Sequence, residues 1–197
     1  MPTCRPSALA ALALLALAGG CMLLPRPDAT RYYTLVAVSP TPGAASSALR
    51  VGLGPVTLPG YLGRLSLATR VDSSQIRYAD LDRWAEPLQA QFARTLGEAL
   101  GRALGTVQIT RFPWYPTVPL DVAVQVTVLA FETDTAGTAR LDAAWTVRDP
   151  KTATVGHEGY STITEPAAGE GTDAGVAALS RAVDQLAQQI AASLPRR

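Results

Sequence analysis

The clearest period along the chain is two. Val122, Val124, Val126 and Val128 alternate with Ala123, Gln125, Thr127 and Leu129. Because successive side chains of a strand point to opposite faces, this pattern predicts a long strand reaching about Thr133. A turn near Ala136-Gly137 leads into Arg140 to Arg148, where Leu141, Ala143, Trp145 and Val147 share a face. Asp149-Pro150-Lys151 turns the chain again into Val155 to Thr164, so the three segments read as an antiparallel meander. Upstream, Arg31 to Val38 is a strand by its aromatic and β-branched content. Leu49 to Leu58 contains another, in which Gly52, Gly54 and Pro55 argue for an edge or a bulge. Leu65 to Val71 and Gln75 to Tyr78 are short strand candidates that can form a hairpin, and Thr106 to Phe112 is a further strand.

Between these strands the period changes. From Leu81 to Leu104 the apolar residues Leu88, Phe92, Leu96, Leu100 and Leu104 form a helical stripe, with Asp80 or Asp82 available to cap its start. Gly97, Gly101 and Gly105 lie four apart along one side. Arg83, Glu86, Arg94, Glu98 and Arg102 on the same segment exclude a membrane span, so the glycines read as a smooth face packed on a sheet. Gly105 also suits a C-cap. After a loop at Pro166 to Gly175, a second helix from about Thr172 to Leu194 carries Val176, Leu179, Val183, Leu186, Ile190 and Leu194 on one face. The sum is a single α/β (α+β) domain: a mainly antiparallel mixed sheet packed against two long amphipathic helices.

The first residues obey another logic. Arg5 precedes an apolar stretch, Ala8 to Ala18, that ends in Gly19-Gly20, the three parts of a secretory signal. Leu17-Ala18-Gly19-Gly20-Cys21 resembles the bacterial lipobox, with Ala18 where Leu is usual. The lipobox implies cleavage between Gly20 and Cys21, with diacylglycerol and an N-acyl chain carried covalently by Cys21. The expected divisions are a signal peptide at 1–20, a lipidated tether at 21–30 and one domain at 31–197. An uncleaved anchor from Ala8 to Leu24 is the competing reading, but this stretch is short for a span, which takes about 20 apolar residues. Cys4 leaves with the signal, so no thiol is free for a disulfide or a thiolate-ligated metal.

Charge and chemistry narrow the function further. The chain carries 17 basic and 16 acidic residues, and losing Arg5 leaves the mature domain neutral. Nucleic acid would require a basic face, so it is not an expected partner. His157 is the single histidine, and no nucleophile-elbow Gly-x-Ser-x-Gly, Walker loop or dinucleotide fingerprint occurs. No catalytic residue, metal site or further cofactor is expected, since zinc draws three or four ligands from His, Cys and carboxylates. The run Arg83-Trp84-Ala85-Glu86-Pro87-Leu88 reads as a helix-start device. In it Pro87 sits where an amide has no intrahelical partner, Trp84 staples the entry, and Arg83 pairs with Glu86.

That run has a familiar setting. A lipobox at Cys21, Tyr32-Tyr33-Thr34-Leu35, Gly54-Pro55-Val56, Leu58-Pro59-Gly60-Tyr61-Leu62 and Arg83-Trp84-Ala85-Glu86-Pro87-Leu88 occur in this order. In this the chain resembles the PqiC-like ABC-type transport auxiliary lipoproteins of Gram-negative bacteria. The resemblance implies a non-enzymatic, periplasm-facing lipoprotein of the outer membrane. Its implied partners are an MCE-domain tunnel protein and the associated inner-membrane permease and ATPase, moving lipids or other apolar molecules. It also implies that copies can assemble into a homo-oligomeric ring. Met22 after the cysteine agrees with outer-membrane sorting.

Two other classes compete with this reading. One is a structural envelope lipoprotein that binds peptidoglycan or an assembly complex; the other is a hydrolase dependent on His157. Partner contacts are expected around Pro59 and Tyr61, and around Arg83, Trp84 and Glu86, because exposed aromatic and Arg side chains make good anchors. A buried Trp84 would return its run to the structural reading.

Overall fold

The computed structural model describes residues 27–38 and 47–194, so Gly20, Cys21 and the signal peptide lie outside the described residues. The meander is where the alternation puts it. β6 (Val122–Asp134), β7 (Ala139–Arg148) and β8 (Val155–Glu165) pair antiparallel along nearly their whole length. Both turns are built by an aspartate that accepts backbone amides ahead of it, the usual Asx-turn device. Asp134 Oδ1 takes Ala136 N–H and Thr138 N–H at 2.9 and 2.8 Å, and Asp149 Oδ1 takes Lys151 N–H at 2.7 Å.

β6 organises the rest. On its free flank it pairs parallel with β2 (Val51–Thr57) near its start and with β3 (Ser66–Arg70) near its end. β5 (Ile109–Arg111) then joins β2, β4 (Ile76–Trp84) joins β3, and β1 (Arg31–Tyr33) joins β4. The result is one eight-stranded mixed sheet, forked on one side of β6, with its longest ladders antiparallel.

Helices α1 (Leu88–Leu104) and α2 (Gly171–Ser193) make the second layer. The stripe Leu88, Phe92, Leu96 and Leu100 joins Val176, Leu179, Val183, Leu186 and Ile190 in one core with the sheet valines. Phe92 of α1 meets Phe131 of β6 edge-on, with ring centroids 5.1 Å apart, the favoured aromatic geometry. Gly105 ends α1 in the left-handed conformation, and a Cβ at Gly101 would lie 2.9 Å from the Thr106 carbonyl. The glycine face is therefore a close-packed one. No helix among the described residues is long and apolar enough to cross a membrane.

Four local expectations need correction. α1 begins at Leu88 rather than Leu81, because Ile76 to Trp84 is a nine-residue strand. Pro87 biases Glu86 away from helix and stands at the N-cap itself, while Asp80 and Asp82 lie in β4 and cap nothing. Of the two alternatives for β2 the bulge holds, with the register shifting between Leu53 and Val56, while β5 and β6 flank the strand so that it is not an edge. Only Ile109–Arg111 of the expected Thr106–Phe112 strand is paired as one. The first strand stops at Tyr33 instead of Val38.

Beyond Tyr33 the backbone leaves the sheet and bonds to helix side chains instead of to a strand. Leu35 N–H donates to Gln91 Oε1 at 2.9 Å, and Leu35 C=O accepts Thr95 Oγ1 at 3.3 Å. Val36 N–H reaches Ser180 Oγ at 3.3 Å, Ala37 C=O takes Arg102 Nη1 at 2.7 Å, and Val38 N–H reaches Asp184 Oδ2 at 3.1 Å. Partners thus come from both α1 and α2. Leu35 is fully buried, while Val36 and Val38 face outward.

Candidate functional site

The two expected contact regions lie on different parts of the sheet. The first is the crossing between β2 and β3, where Gly60–Gly63 forms a single 3₁₀ turn behind Pro59. Pro59 and Tyr61 are half-buried. The Tyr61 hydroxyl donates to Glu132 Oε2 at 2.5 Å, and Arg70 Nε donates to Glu132 Oε1 at 2.6 Å. Phe131 N–H adds a third bond to the same carboxylate at 2.9 Å. Glu132 is 1% exposed, so this is a buried charge held by a cation and two further donors, the condition under which burial is tolerated.

Protonation reflects that environment. Burial, and then the hydrogen bond to Glu132, push the Tyr61 phenol far above its ordinary range, so it remains a donor. The bond to Glu132 likewise raises the Arg70 guanidinium. Tyr78 ties the turn from below: its hydroxyl donates to Tyr61 C=O at 3.0 Å, and the Arg64 guanidinium lies 4.7 Å from its ring centroid. The LPGYL run is therefore clamped onto β3, β4 and β6. Pro59, Gly60 and the exposed edge of Tyr61 stay at the surface as a rigid knuckle.

The second region is the exit from β4. Arg83 is exposed, but Trp84 is 3% exposed and belongs to the core. Trp84 N–H donates to Leu65 C=O at 2.6 Å, and Ala85 N–H donates to Tyr33 C=O at 2.9 Å. Glu86 does not pair with Arg83. It accepts Arg94 Nη2 at 3.1 Å instead, since Arg83 still lies on the strand and Arg94 lies on the helix. Trp84 is thus a staple, and the run presents Arg83, Ala85 and Pro87 to solvent, with Glu86 half-buried.

Three features went unread in the sequence. One is the buried Asp82, which accepts the exposed Arg31 through Nε and Nη2 at 2.7 and 2.9 Å and Thr172 Oγ1 at 2.6 Å. The Arg31 bond holds the Asp82 carboxyl below the usual carboxylate range. Another is the set Gln91, Thr95, Ser180 and Asp184, whose visible signal was polar residues spaced four apart within otherwise apolar helix faces. The last is the Arg140–Asp142 pair on β7, next to Glu132 in the ladder.

His157 is exposed on β8 and stacks on Trp145, with ring centroids 5.3 Å apart. The Trp145 indole occupies the place a Cβ at Gly159 would need, and its Nε1–H donates to Ser161 Oγ at 3.1 Å. The histidine is a lid on a packed tryptophan.

Comparison with known proteins places these features in a lineage. The family model for the ABC-type transport auxiliary lipoprotein component matches residues 33–191. No curated protein matches the sequence. Among solved structures, one of an uncharacterized protein is similar with a TM-score of 0.69 at 19% identity, covering 84% of this chain and 99% of its own. A protein from Xanthomonas campestris is similar with a TM-score of 0.68 at 17% identity, covering 82% and 93%. At that identity the two structures establish the shared fold.

Proposed function

Because the chain belongs to the ABC-type transport auxiliary lipoprotein component family, we propose that it is the non-enzymatic outer-membrane subunit of an MCE-linked transport system. In this reading Cys21 carries the acyl anchor. The domain docks the end of a periplasmic MCE tunnel that communicates with an inner-membrane permease and ATPase. The cargo is a lipid or another apolar molecule, and copies of the chain can assemble as a ring around the tunnel.

What supports the reading is the continuity between the anchored end and the fold. The chain leaving Cys21 enters the sheet as β1, where Arg31 is fixed to Asp82, and is then gripped by both helices through Leu35 to Val38. The clamped Pro59–Tyr61 knuckle offers a partner a rigid feature, which limits the entropy lost on docking, and Arg83 adds an exposed cation. Crosslinking of intact envelopes, then pull-down of the full chain, tests it. An MCE-domain protein and transporter components should be recovered; an envelope preparation that yields neither would sink the proposal.

A further inference from the structure

The helix layer leaves part of the sheet uncovered. α1 packs over β2 and β5, and α2 packs over β6, β7 and β8, so β3 and β4 are the least covered. The gap is a cavity of about 530 Å³, within the range of sites that hold small molecules. Its bottom is buried and apolar: Leu67, Trp84, Phe131, Val176 and Leu179. Small residues keep it open, among them Ala68, Ala79 and Gly175. Its exposed lining carries both signs of charge, Arg77 with Asp134 and Glu170. Arg77 takes part in no ion pair among the described residues.

We propose that this cavity is a lipid site that takes one acyl chain of a membrane phospholipid, with the headgroup at the rim. An apolar bottom rewards the burial of methylene groups, at about 25 cal/mol per Å² removed from water. A rim with a cation beside two carboxylates suits a headgroup that carries a phosphate and an ammonium. The position of the tether selects a membrane lipid over other apolar molecules. Thr172 stands at the rim and donates to Asp82, the residue that fixes Arg31. The ten residues from Cys21 to Thr30 reach at most about 36 Å. A membrane holding Cys21 is therefore within a short tether of the cavity mouth.

The inference rests on the anchored-transport reading and deepens it by naming the cargo. Its test uses the full chain in its own envelope, in cells grown with radiolabelled phosphate. A photoreactive phenylalanine analogue is placed at Ala79 in the cavity, or at exposed Tyr115 as the control. The acyl anchor on the cysteine carries no phosphate, so label that appears on the protein after illumination and is released by phospholipase C reports a phospholipid rather than phosphorylated lipid A. Label at Ala79 should exceed that at Tyr115 several-fold, and adding Ala68→Phe should remove the excess. If the Ala79 chain does not accumulate, the analogue goes to Thr69, which also lines the cavity. Label no higher than the control, or unchanged by Ala68→Phe in chains of normal abundance, would overturn the proposal. Absent label with intact recovery of the MCE partner fails only the lipid site; strong label without that partner fails only the docking reading.

Discussion

The Gln91 side chain accepts the Leu35 amide at 2.9 Å while donating its own amide to the Glu86 carbonyl at 2.9 Å, so one fully buried glutamine satisfies two segments at once. It stands in for the strand that Leu35 does not have. A backbone amide buried without an acceptor carries its full desolvation cost.

Gln91→Leu should therefore destabilise the fold by about 1–3 kcal/mol, even though it adds a better apolar side chain to an apolar helix face. Urea denaturation of the variant would show it as a lowered midpoint, and an unchanged midpoint would mean that Leu35 finds another acceptor.

Glu132 should be less replaceable than Tyr61. Glu132→Ala leaves the half-buried Arg70 guanidinium unpaired and takes the acceptor from Tyr61 and Phe131 N–H as well, so the loss should reach about 3–5 kcal/mol. Tyr61→Phe removes one donor from a carboxylate that keeps two others, for about 1–3 kcal/mol. A double-mutant cycle should return a non-zero coupling, since both changes act on one carboxylate.

Acid should expose the Asp82 pair. Its folded pKa lies below the ordinary aspartate value of 3.8, with the Arg31 hydrogen bond as the main cause. A depressed carboxyl stabilises the fold above its unfolded pKa, and that contribution is lost as pH falls through the folded one. Stability should thus decline below about pH 4. In Asp82→Asn that part of the acid limb should flatten; a variant profile parallel to the parent would assign the acid sensitivity elsewhere.

Gly159→Ala should act on the far strand pair. A methyl there collides with the Trp145 ring, which must leave its place beside Ser161. Overpacking of this kind costs about 1–3 kcal/mol. Trp145 fluorescence in a chain with Trp84 and Trp114 replaced by Phe should shift to the red, and an unmoved spectrum would count against the clash.

The meander and both helix stripes were readable because alternation of period two and 3.6 is imposed by burial of one face, and burial of that face did occur. Gly105 as C-cap and the bulge in β2 were readable for the same local reasons. The nine-residue β4 was harder, since Asp80, Asp82 and Arg83 interrupt its apolar pattern and resemble a helix start. Trp84 ends that strand with its side chain in the core, so an aromatic that suits a surface anchor by type is buried by the strand it belongs to. The grip on Leu35 to Val38 escaped altogether: its partners lie 56 to 146 residues away and are polar groups inside helices, where a pattern of apolar positions registers only a defect. Cys21 shows the opposite case, a candidate legible from its neighbours alone and lying outside the described residues.

The same grip sets how the molecule bears mechanical load. A pull on the chain ahead of Arg31 that is directed along β1 loads the gripped residues beyond it lengthwise. The Asp82, Gln91, Ser180 and Asp184 bonds are then strained in shear and together, where a transverse pull would peel them open one by one. Tension applied at that end is therefore shared between the sheet and both helices, so the segment gives way as a unit and not bond by bond.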